Sequence, residues 1–598
     1  MQAELDVVIC GGGLAGLTLA RQLRREVPSA SVTVVERQRR PLPDAAHKVG
    51  ESSVELSSHY FGVVLGLGGY LRERHLIKNG LRFFPGGGQT HRIEERTEIG
   101  PPDLPKVPSF QLDRGRLEND LRAMCEADGI TLMEGFSVRE IRFGAHPLED
   151  GGAAHEVVIS EGSQGEPRTL RARWVVDAAG RAALIRKKLG LTRPSGHLAN
   201  ASWYRVDGKL DVSDYVPESD RAWHSRDPDR IRWLSTVHFM GTGYWLWLIP
   251  LSTGHTSVGV VVHDEVHPFE TIHTLEKTKA WIARHEPHIW ERIRECEAED
   301  FLSLRHYSHA SAKVFSTDRW ACVGEAGPFA DPFYSPGSDF IALGNSFTTE
   351  LIRKDLAGED WHARAEEYDS FYLRFFDVAC ETYRKAAPCY GQPRVMAAKV
   401  YWDDFNYWAF VCQYFFKEIW KLSPGEHARF VEVAKGYATL TFRAQKLLSE
   451  WAKRAKDEPR PVHVTLPPIP SLLANLHLDL EKEMSVEETH TYMREKLALA
   501  EELLQELLLR AIQALGKDGA VELAREIDLA SWGMRIDPAR LEAEQAEGGA
   551  RRRSLSLMAR DFERCVGRAE RHPDVGSMRE IVEHVMGAGA ARDPEAAE

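Results

Sequence analysis

The first residues constrain the fold more than any others. An apolar run, Leu5-Asp6-Val7-Val8-Ile9-Cys10, leads into Gly11-Gly12-Gly13-Leu14-Ala15-Gly16 and then into the helical spacing Leu17, Leu19, Ala20, Leu23. A second apolar run over residues 32–35 ends at Glu36. Strand, glycine turn, helix, strand and acid, with the acid about twenty residues after the glycines, form the βαβ dinucleotide fingerprint. Gly11, Gly13, Ala15 and Gly16 let the backbone approach a pyrophosphate, whose charge meets the free N–H groups and positive dipole end of the helix. Glu36 is placed to accept hydrogen bonds from ribose hydroxyls. A tight turn without a ligand is the competing reading, and the complete strand-helix-strand context weighs against it.

Two later segments narrow the nucleotide. Trp174-Val175-Val176-Asp177-Ala178-Ala179-Gly180-Arg181 and Trp320-Ala321-Cys322-Val323-Gly324-Glu325-Ala326-Gly327 are apolar strands that stop at an acid and a glycine. The pattern resembles the FAD-dependent monooxygenase superfamily, in which the later strand meets the ribityl chain. The resemblance implies FAD contacts at Asp177, Gly180 and Glu325, although Glu325 replaces the usual aspartate and is one methylene longer. Gln111-Leu112-Asp113-Arg114-Gly115-Arg116-Leu117 also matches that superfamily, which puts Arg114 near the flavin; a surface helix start is the plainer reading.

Composition bounds the rest. A chain of 598 residues with 43% hydrophobic content exceeds one ordinary domain and fills sizeable cores. The net charge is -13 and the only compact basic run is Arg551-Arg552-Arg553, so nucleic acid is not an expected partner. No cationic leader precedes the first strand and no apolar stretch reaches a membrane span, which predicts a cytoplasmic protein. Eight cysteines without a CxxC pair suit a reducing compartment and predict neither a disulfide framework nor a bound metal.

The pattern along the chain predicts an α/β fold with a discontinuous FAD-binding, Rossmann-like domain of the GR2 type over residues 1–195 and 315–375. Between its halves, residues 196–314 carry strand-like runs at 231–239, 244–250 and 256–262, separated by glycines, and predict an antiparallel substrate-facing sheet with helices. Residues 376–598 read as helical, most clearly over 486–515. The Pro-rich stretch 459–470 reads as a connector, and 587–598 as a disordered tail. Residues 383–420 are unusually aromatic; most of these rings are core, and some are candidates to roof a substrate chamber. Asp403-Asp404 reads as a pair of solvated loop carboxylates, with a polar substrate anchor as the sharper alternative.

Within this frame stands Trp245-Leu246-Trp247-Leu248-Ile249-Pro250. Alone it is a buried strand. Following a flavin-type opening, it resembles the signature of the flavin-dependent halogenases, and the likeness runs over residues 1–380. Val49-Gly50-Glu51-Ser52 is similar to the family's Val-Gly-Glu segment near the flavin, which implicates Gly50 and Glu51. Leu76-Ile77-Lys78-Asn79-Gly80-Leu81-Arg82-Phe83-Phe84 matches the family's lysine segment, so Lys78 falls on the catalytic lysine; without the flanking pattern it would read as a surface lysine at a helix end. The resemblance implies that reduced flavin and O2 form a C4a-hydroperoxide, that chloride or bromide attacks it to give hypohalous acid, and that a buried ammonium presents this oxidant to one carbon of the substrate. Trp245 and Trp247 would then wall the flavin from the substrate. A single glycine fingerprint implies that a separate reductase supplies FADH2.

The chain departs from the family pattern at Asp331-Pro332-Phe333-Tyr334-Ser335-Pro336-Gly337-Ser338-Asp339. Tyr334 takes the place of the glutamate that assists proton removal in tryptophan-halogenating members, and Pro336 that of a threonine at the halide. Loss of the glutamate points away from free tryptophan and toward an electron-rich phenol or pyrrole, free or tethered to a carrier protein. Tyr334 is carried as a catalytic candidate, Pro332 and Gly337 as flavin contacts, and Gly337 and Ser338 as the remaining halide contacts, since a proline lacks the N–H that could face an anion. The expectation is an FADH2-dependent halogenase of an electron-rich aromatic. The alternative is a flavin monooxygenase on the same scaffold that works without halide. The helical C-terminal region has room for a deep pocket cover, a carrier docking face or a homodimer face.

Overall fold

The computed structural model describes residues 5–43, 49–87, 92–147, 153–162, 165–456, 460–465, 471–568 and 571–588. The opening fingerprint builds the first sheet. Its strands run in the order Phe315–Ser316, Trp320–Cys322, Arg168–Asp177, Leu5–Cys10, Val32–Glu36 and Thr131–Glu134, with the hairpin Phe136–Pro147 and Ala153–Glu161 joined to Arg168–Asp177. The five strands inward of Phe315–Ser316 pair in parallel. Both faces of this sheet are covered, which is why its strands read as continuous apolar runs. Val7, Ile9, Val34 and Val176 pack into the main core, while Val8, Cys10, Val35 and Val175 pack into a smaller core on the opposite face.

The second sheet faces the first domain's ligand side. Its order is Leu302–Leu304, Ala199–Asp207, His255–His263, Tyr244–Pro250, Thr236–Gly241, Leu81–Phe84, Glu98–Gly100 and His463–Thr465. Along Tyr244–Pro250 the pleat divides the side chains as a period of two requires. Trp245, Trp247 and Ile249 join the main core, and Tyr244, Leu246 and Leu248 pack on the other face with Ile282 and Ile289 from the helices Leu275–His285 and Pro287–Ile293. Trp247 pairs with Gly259, and a Cβ on that glycine would overlap the indole.

Three expectations change. Leu81–Phe84 and Glu98–Gly100, counted by sequence with the nucleotide-binding part, belong to the second sheet, so the boundary at 195 does not separate the two sheets. The predicted connector supplies an edge strand, His463–Thr465, that pairs in parallel with Glu98–Gly100; its residues 459 and 466–470 lie outside the described residues. The run 231–239 is a short 3-10 turn, Arg232–Leu234, followed by the strand Thr236–Gly241. Arg232 is drawn out of strand geometry by burial, since its guanidinium stacks 3.7 Å over Trp223 and pairs with buried Glu98 at 2.8 Å.

The C-terminal region is helical as expected, and the 486–515 pattern continues into one long element, Val486–Ile527, broken at Gly516 where φ is 72. The last described helix, Met578–Ala588, takes in the start of the predicted tail, and 589–598 lie outside the described residues. Among the described residues no helix is long and apolar enough to cross a membrane, and no His/Cys/Asp/Glu group is arranged to hold a metal ion. The eight cysteines are all free thiols.

The contrast between two glycines gives a test. Gly259→Ala forces a methyl into Trp247 and should lower stability by about 1–3 kcal/mol, the usual cost of overpacking. Gly13→Ala meets nothing within 4 Å at a φ of -84 and should leave the unfolding midpoint unchanged while weakening nucleotide binding. Urea unfolding followed by tryptophan fluorescence, beside a flavin titration, checks both; a normal midpoint for Gly259→Ala would mean that the indole can move aside.

Candidate active site

The carboxyl ends of the parallel strands open into a cavity of about 720 Å3 lined by Gly11, Gly13, Ala15, Glu36, Gly50, Glu51, Arg114, Gly180 and Glu325. The glycines divide the labour. A Cβ on Gly11, where φ is 121, would overlap the Ala178 carbonyl, and one on Gly16 would overlap the carbonyl of Gly11, so these two permit close packing of turn, helix and strand. Gly13 faces open space at the start of the helix Leu14–Glu26, where a pyrophosphate would meet the N–H groups. Glu36 accepts from Gly12 N at 2.7 Å and from Gln38 N at 2.8 Å, so the acid also fixes the turn it faces.

Arg114 opens the helix Arg114–Ala127 and clamps the segment across the cavity. Its Nη1 donates to the Val49 carbonyl at 2.8 Å and its Nη2 to Glu118 at 2.7 Å, beside Gly50, whose φ is 95. Glu51 is buried; one oxygen accepts from Arg205 Nη2 at 2.7 Å, and Oε2 has no hydrogen-bond partner. Burial raises the Glu51 carboxyl while Arg205 opposes the rise. A glycine cradle, an N-terminal helix end and an acceptor awaiting a donor fit a flavin dinucleotide. Asp177 differs from expectation. It is fully buried behind the cavity, where its oxygens accept from Ala179 N at 3.0 Å and Ile185 N at 2.8 Å. Burial pushes it up to about 6 against those N–H bonds. It therefore shapes the turn Ala178-Ala179-Gly180, which lines the cavity, and does not itself face the cofactor. Glu325 does line the cavity, 3.7 Å from Arg181.

A second cavity, of about 1040 Å3, holds Lys78. The strand Leu76–Ile77 delivers this lysine, whose backbone N donates to Ser109 O at 2.8 Å. Its side chain is 0% exposed, and Nζ donates to the Ser53 carbonyl at 2.8 Å. Burial lowers its ammonium to about 7, with Glu55 and Asp339 acting in the opposite sense. The surface-lysine reading does not survive this burial.

Tyr334 lines the same cavity and donates to Asp403 Oδ2 at 2.8 Å. Asp403 also accepts from Gln445 at 2.7 Å and pairs with Lys399 at 3.0 Å. Asp403 and Asp404 stand on the helix Pro393–Asn406 and face the cavity, so they are not solvated loop carboxylates. Burial drives the Asp404 carboxyl well above the usual range. The aromatic stretch contributes Trp402, Tyr407, Trp408 and Phe410 as the roof, the last three from the π-helical turn Tyr407–Cys412.

One layer of chain separates the two cavities, and two segments cross it. Gly50, Glu51 and Ser52 line the nucleotide cavity, and Val54 and Glu55 the other. Pro332, Ser335, Gly337 and Ser338 face the nucleotide cavity, Tyr334, Pro336 and Asp339 face the second, and Phe340 touches both. Pro336 caps the helix Gly337–Leu356 from outside, so its missing N–H takes nothing from the first turn, where Gly337 and Ser338 lie. The crossing is tied down by Asp331, which accepts from His197 Nε2 at 2.6 Å, from the Tyr307 hydroxyl and from Phe333 N at 2.8 Å.

Trp245 and Trp247 line the nucleotide cavity only. Trp245 packs 5.2 Å from Phe333, which packs 4.5 Å from Tyr334. The partition is therefore a stack with the indoles on the nucleotide side, Tyr334 and Phe83 on the other, and Phe340 reaching both. Sequence reasoning passed over Glu55, Asp339 and His477. Glu55 and Asp339 sit inside or beside quoted motifs, but no spacing rule links them to Lys78, and His477 is brought in from the far end of the chain.

A family model for the FAD binding domain matches residues 4–327. A flavin-dependent halogenase of Dictyostelium discoideum, chlA, is 30% identical over 430 residues, covering 68% of this chain and 69% of that protein. A 1H-pyrrole-2-carbonyl-(peptidyl-carrier protein) chlorinase of Pseudomonas fluorescens is 24% identical over 354 residues, covering 56% and 72%. The solved structure of halogenase PltM with phloroglucinol and FAD shares the fold, with a TM-score of 0.59 at 15% identity over 83% of this chain and 96% of that one. The domain model makes the chain an FAD-binding protein, and the likeness to the Dictyostelium protein, which extends beyond the span of that model, places it in the flavin-dependent halogenases, a family of FAD-binding oxidoreductases.

Proposed function

We propose that this enzyme takes FADH2 from a separate reductase in the cytoplasm, O2, and chloride or bromide, and halogenates an electron-rich phenol or pyrrole-type ring through hypohalous acid. One observation carries the reading: Lys78 is buried in a chamber one chain layer from the nucleotide cavity. Reduced FAD, when bound, supplies the oxidising equivalent from O2 that converts halide to hypohalous acid. Every other task falls to the protein. The N–H groups of Gly337 and Ser338, at a helix start on the flavin side, suit the halide. The layer from Tyr334 to Phe340 keeps the substrate from the flavin, so that only a small oxidant crosses.

Lys78 Nζ receives that oxidant as a hydrogen-bond donor in a site that excludes bulk water, where such a bond is worth far more than in solution. Tyr334, held by Asp403, forms the neighbouring wall and orients the ring. The chamber is at the upper end of the range for drug-sized ligands, roughly 300–1,000 Å3. Its size and its helical roof favour a free substrate of more than one ring over a tethered pyrrole.

Lys78→Ala and Lys78→Arg should each lower halogenated product by roughly 100-fold or more, the usual cost of a lost preorganised donor, with flavin affinity and reoxidation by O2 unchanged. Mass spectrometry of single turnovers with and without bromide checks this; an added oxygen without halide dependence would favour the monooxygenase instead. Since the Lys78 ammonium is present below about 7 and lost above it, the single-turnover halogenation rate should fall as pH rises through about 7. A rate that climbs there would make the neutral amine the working form. Tyr334→Phe should cost about 1 kcal/mol of stability and broaden the product regiochemistry without lowering oxidant formation.

A further inference from the structure

Glu55 begins the short helix Glu55–His59, immediately beyond the segment whose Ser53 carbonyl holds Lys78. Its carboxylate faces the substrate chamber together with Lys78 and His477. His477 comes from the last turn of the helix Ser471–Leu478, where the helix dipole favours a cation. Its Nε2 lies 3.2 Å from Glu55 Oε1, and its ring packs 5.2 Å from Trp408, edge to face. Both side chains are buried.

Three neighbouring carboxylates of the chamber, Asp339, Asp403 and Asp404, are held or raised by their surroundings. Asp339 accepts from Ser57 N and from the Tyr407 hydroxyl, each at 2.9 Å, and burial raises it to about 7. Asp403 is held by Tyr334, Gln445 and Lys399. Asp404 is raised far above the carboxylate range by burial, with Glu55 and Asp403 adding to the rise. For Glu55, burial also works upward, but His477 and then Lys78 outweigh it, so its carboxyl lies below the ordinary value. The titratable groups that act on Glu55 are thus Lys78, His477, Asp339, Asp404, Tyr407 and Cys412.

We propose that Glu55 is the general base that takes the substrate's phenolic proton during halogen transfer, and that His477 is the positioning residue that orients it and keeps it ionised. The inference rests on the phenol halogenation proposed above. The phenolic O–H proton passes to Glu55, and the oxygen's electron pair moves into the ring. The ortho or para carbon bonds to the halogen of hypohalous acid as the O–X bond breaks. The departing hydroxide takes a proton from the Lys78 ammonium and leaves as water. The resulting dienone loses its ring proton to the Lys78 amine, and its oxygen regains a proton from Glu55. Phenol and hypohalous acid thus give halophenol and water, and both residues end as they began. Tyr334 stands where the resemblance places the family's acid, and Glu55 performs the assistance on oxygen instead of carbon.

The full-length enzyme, loaded with FAD and supplied with a flavin reductase and bromide, tests this with 2-naphthol and 2-methoxynaphthalene, the second having no proton to surrender. Glu55→Gln should slow bromination of the naphthol by roughly 100-fold or more, within the range for a lost general base, and slow the methyl ether far less, the smaller loss coming from the weaker support of the Lys78 ammonium. The ratio of variant to wild-type rate on the naphthol should rise with pH toward the naphthol's own ionisation. His477→Gln should move the acid limb of the wild-type naphthol profile to higher pH, because loss of the imidazole lets burial raise Glu55. Equal slowing of both substrates, or an unchanged naphthol rate in Glu55→Gln, would overturn the assignment. Absence of any brominated product from the wild-type enzyme would instead overturn the halogenase reading beneath it.

Discussion

A buried lysine ammonium depends on what surrounds it, and the segments around Lys78 bear on that requirement. Desolvation disfavours the charged form, and Lys78 is held near the balance point by a backbone carbonyl and by carboxylates that act on it through space. That balance needs Ser53 at one fixed position. Ser53 is fixed in turn by its hydroxyl, which bonds Ser58 and the Phe110 carbonyl, and by the strand pair Leu76–Ile77 with Phe110–Gln111. The neighbouring Ser52 hydroxyl meets Thr236, at the start of a strand in the second sheet.

The same segment explains how two chambers can communicate while excluding each other's ligands. Gly50 to Glu55 passes from the nucleotide cavity to the Lys78 chamber within a few residues, and 332–340 does the same. A partition only one layer thick suits the proposed passage of a small oxidant and exclusion of a ring. Its rigidity comes from aromatic stacking, Trp245 on Phe333 on Tyr334, and from the buried Asp331 node with His197 and Tyr307. The indole pair is therefore better described as the flavin-side backing of the wall than as the wall itself.

The C-terminal region is not an appendage. It closes the substrate chamber with Trp402, Tyr407 and Trp408, extends the second sheet through His463–Thr465, and brings His477 to Glu55. The Pro-rich composition of 459–470 concealed that strand, because prolines mark turns and edges but cannot say whether an edge is paired. The Asp403-Asp404 pair misled in the same way. Adjacent acids read as solvated, yet a lysine one helical turn earlier and a glutamine from the neighbouring helix Pro424–Arg454 hold Asp403 inside. Asp177 illustrates the converse error. Its place at a strand end is right, but the pleat turns its side chain away from the cofactor and into the N–H groups of the following turn.

The sequence by itself determined the flavin fold, the glycine cradle and the strand Tyr244–Pro250, and it singled out Lys78. Each of these rests on local rules: a period of two, glycines where no Cβ fits, and short motifs of fixed spacing. Only the tertiary structure decided which cavity each residue faces, because alternation along 334–340 assigns neighbours to opposite chambers and spacing cannot say which chamber is which. It alone also decided that Glu55 and His477 meet beside Lys78. That pairing is made by docking a distant helix onto the chamber roof, a consequence of packing and not of any pattern the chain displays along its length.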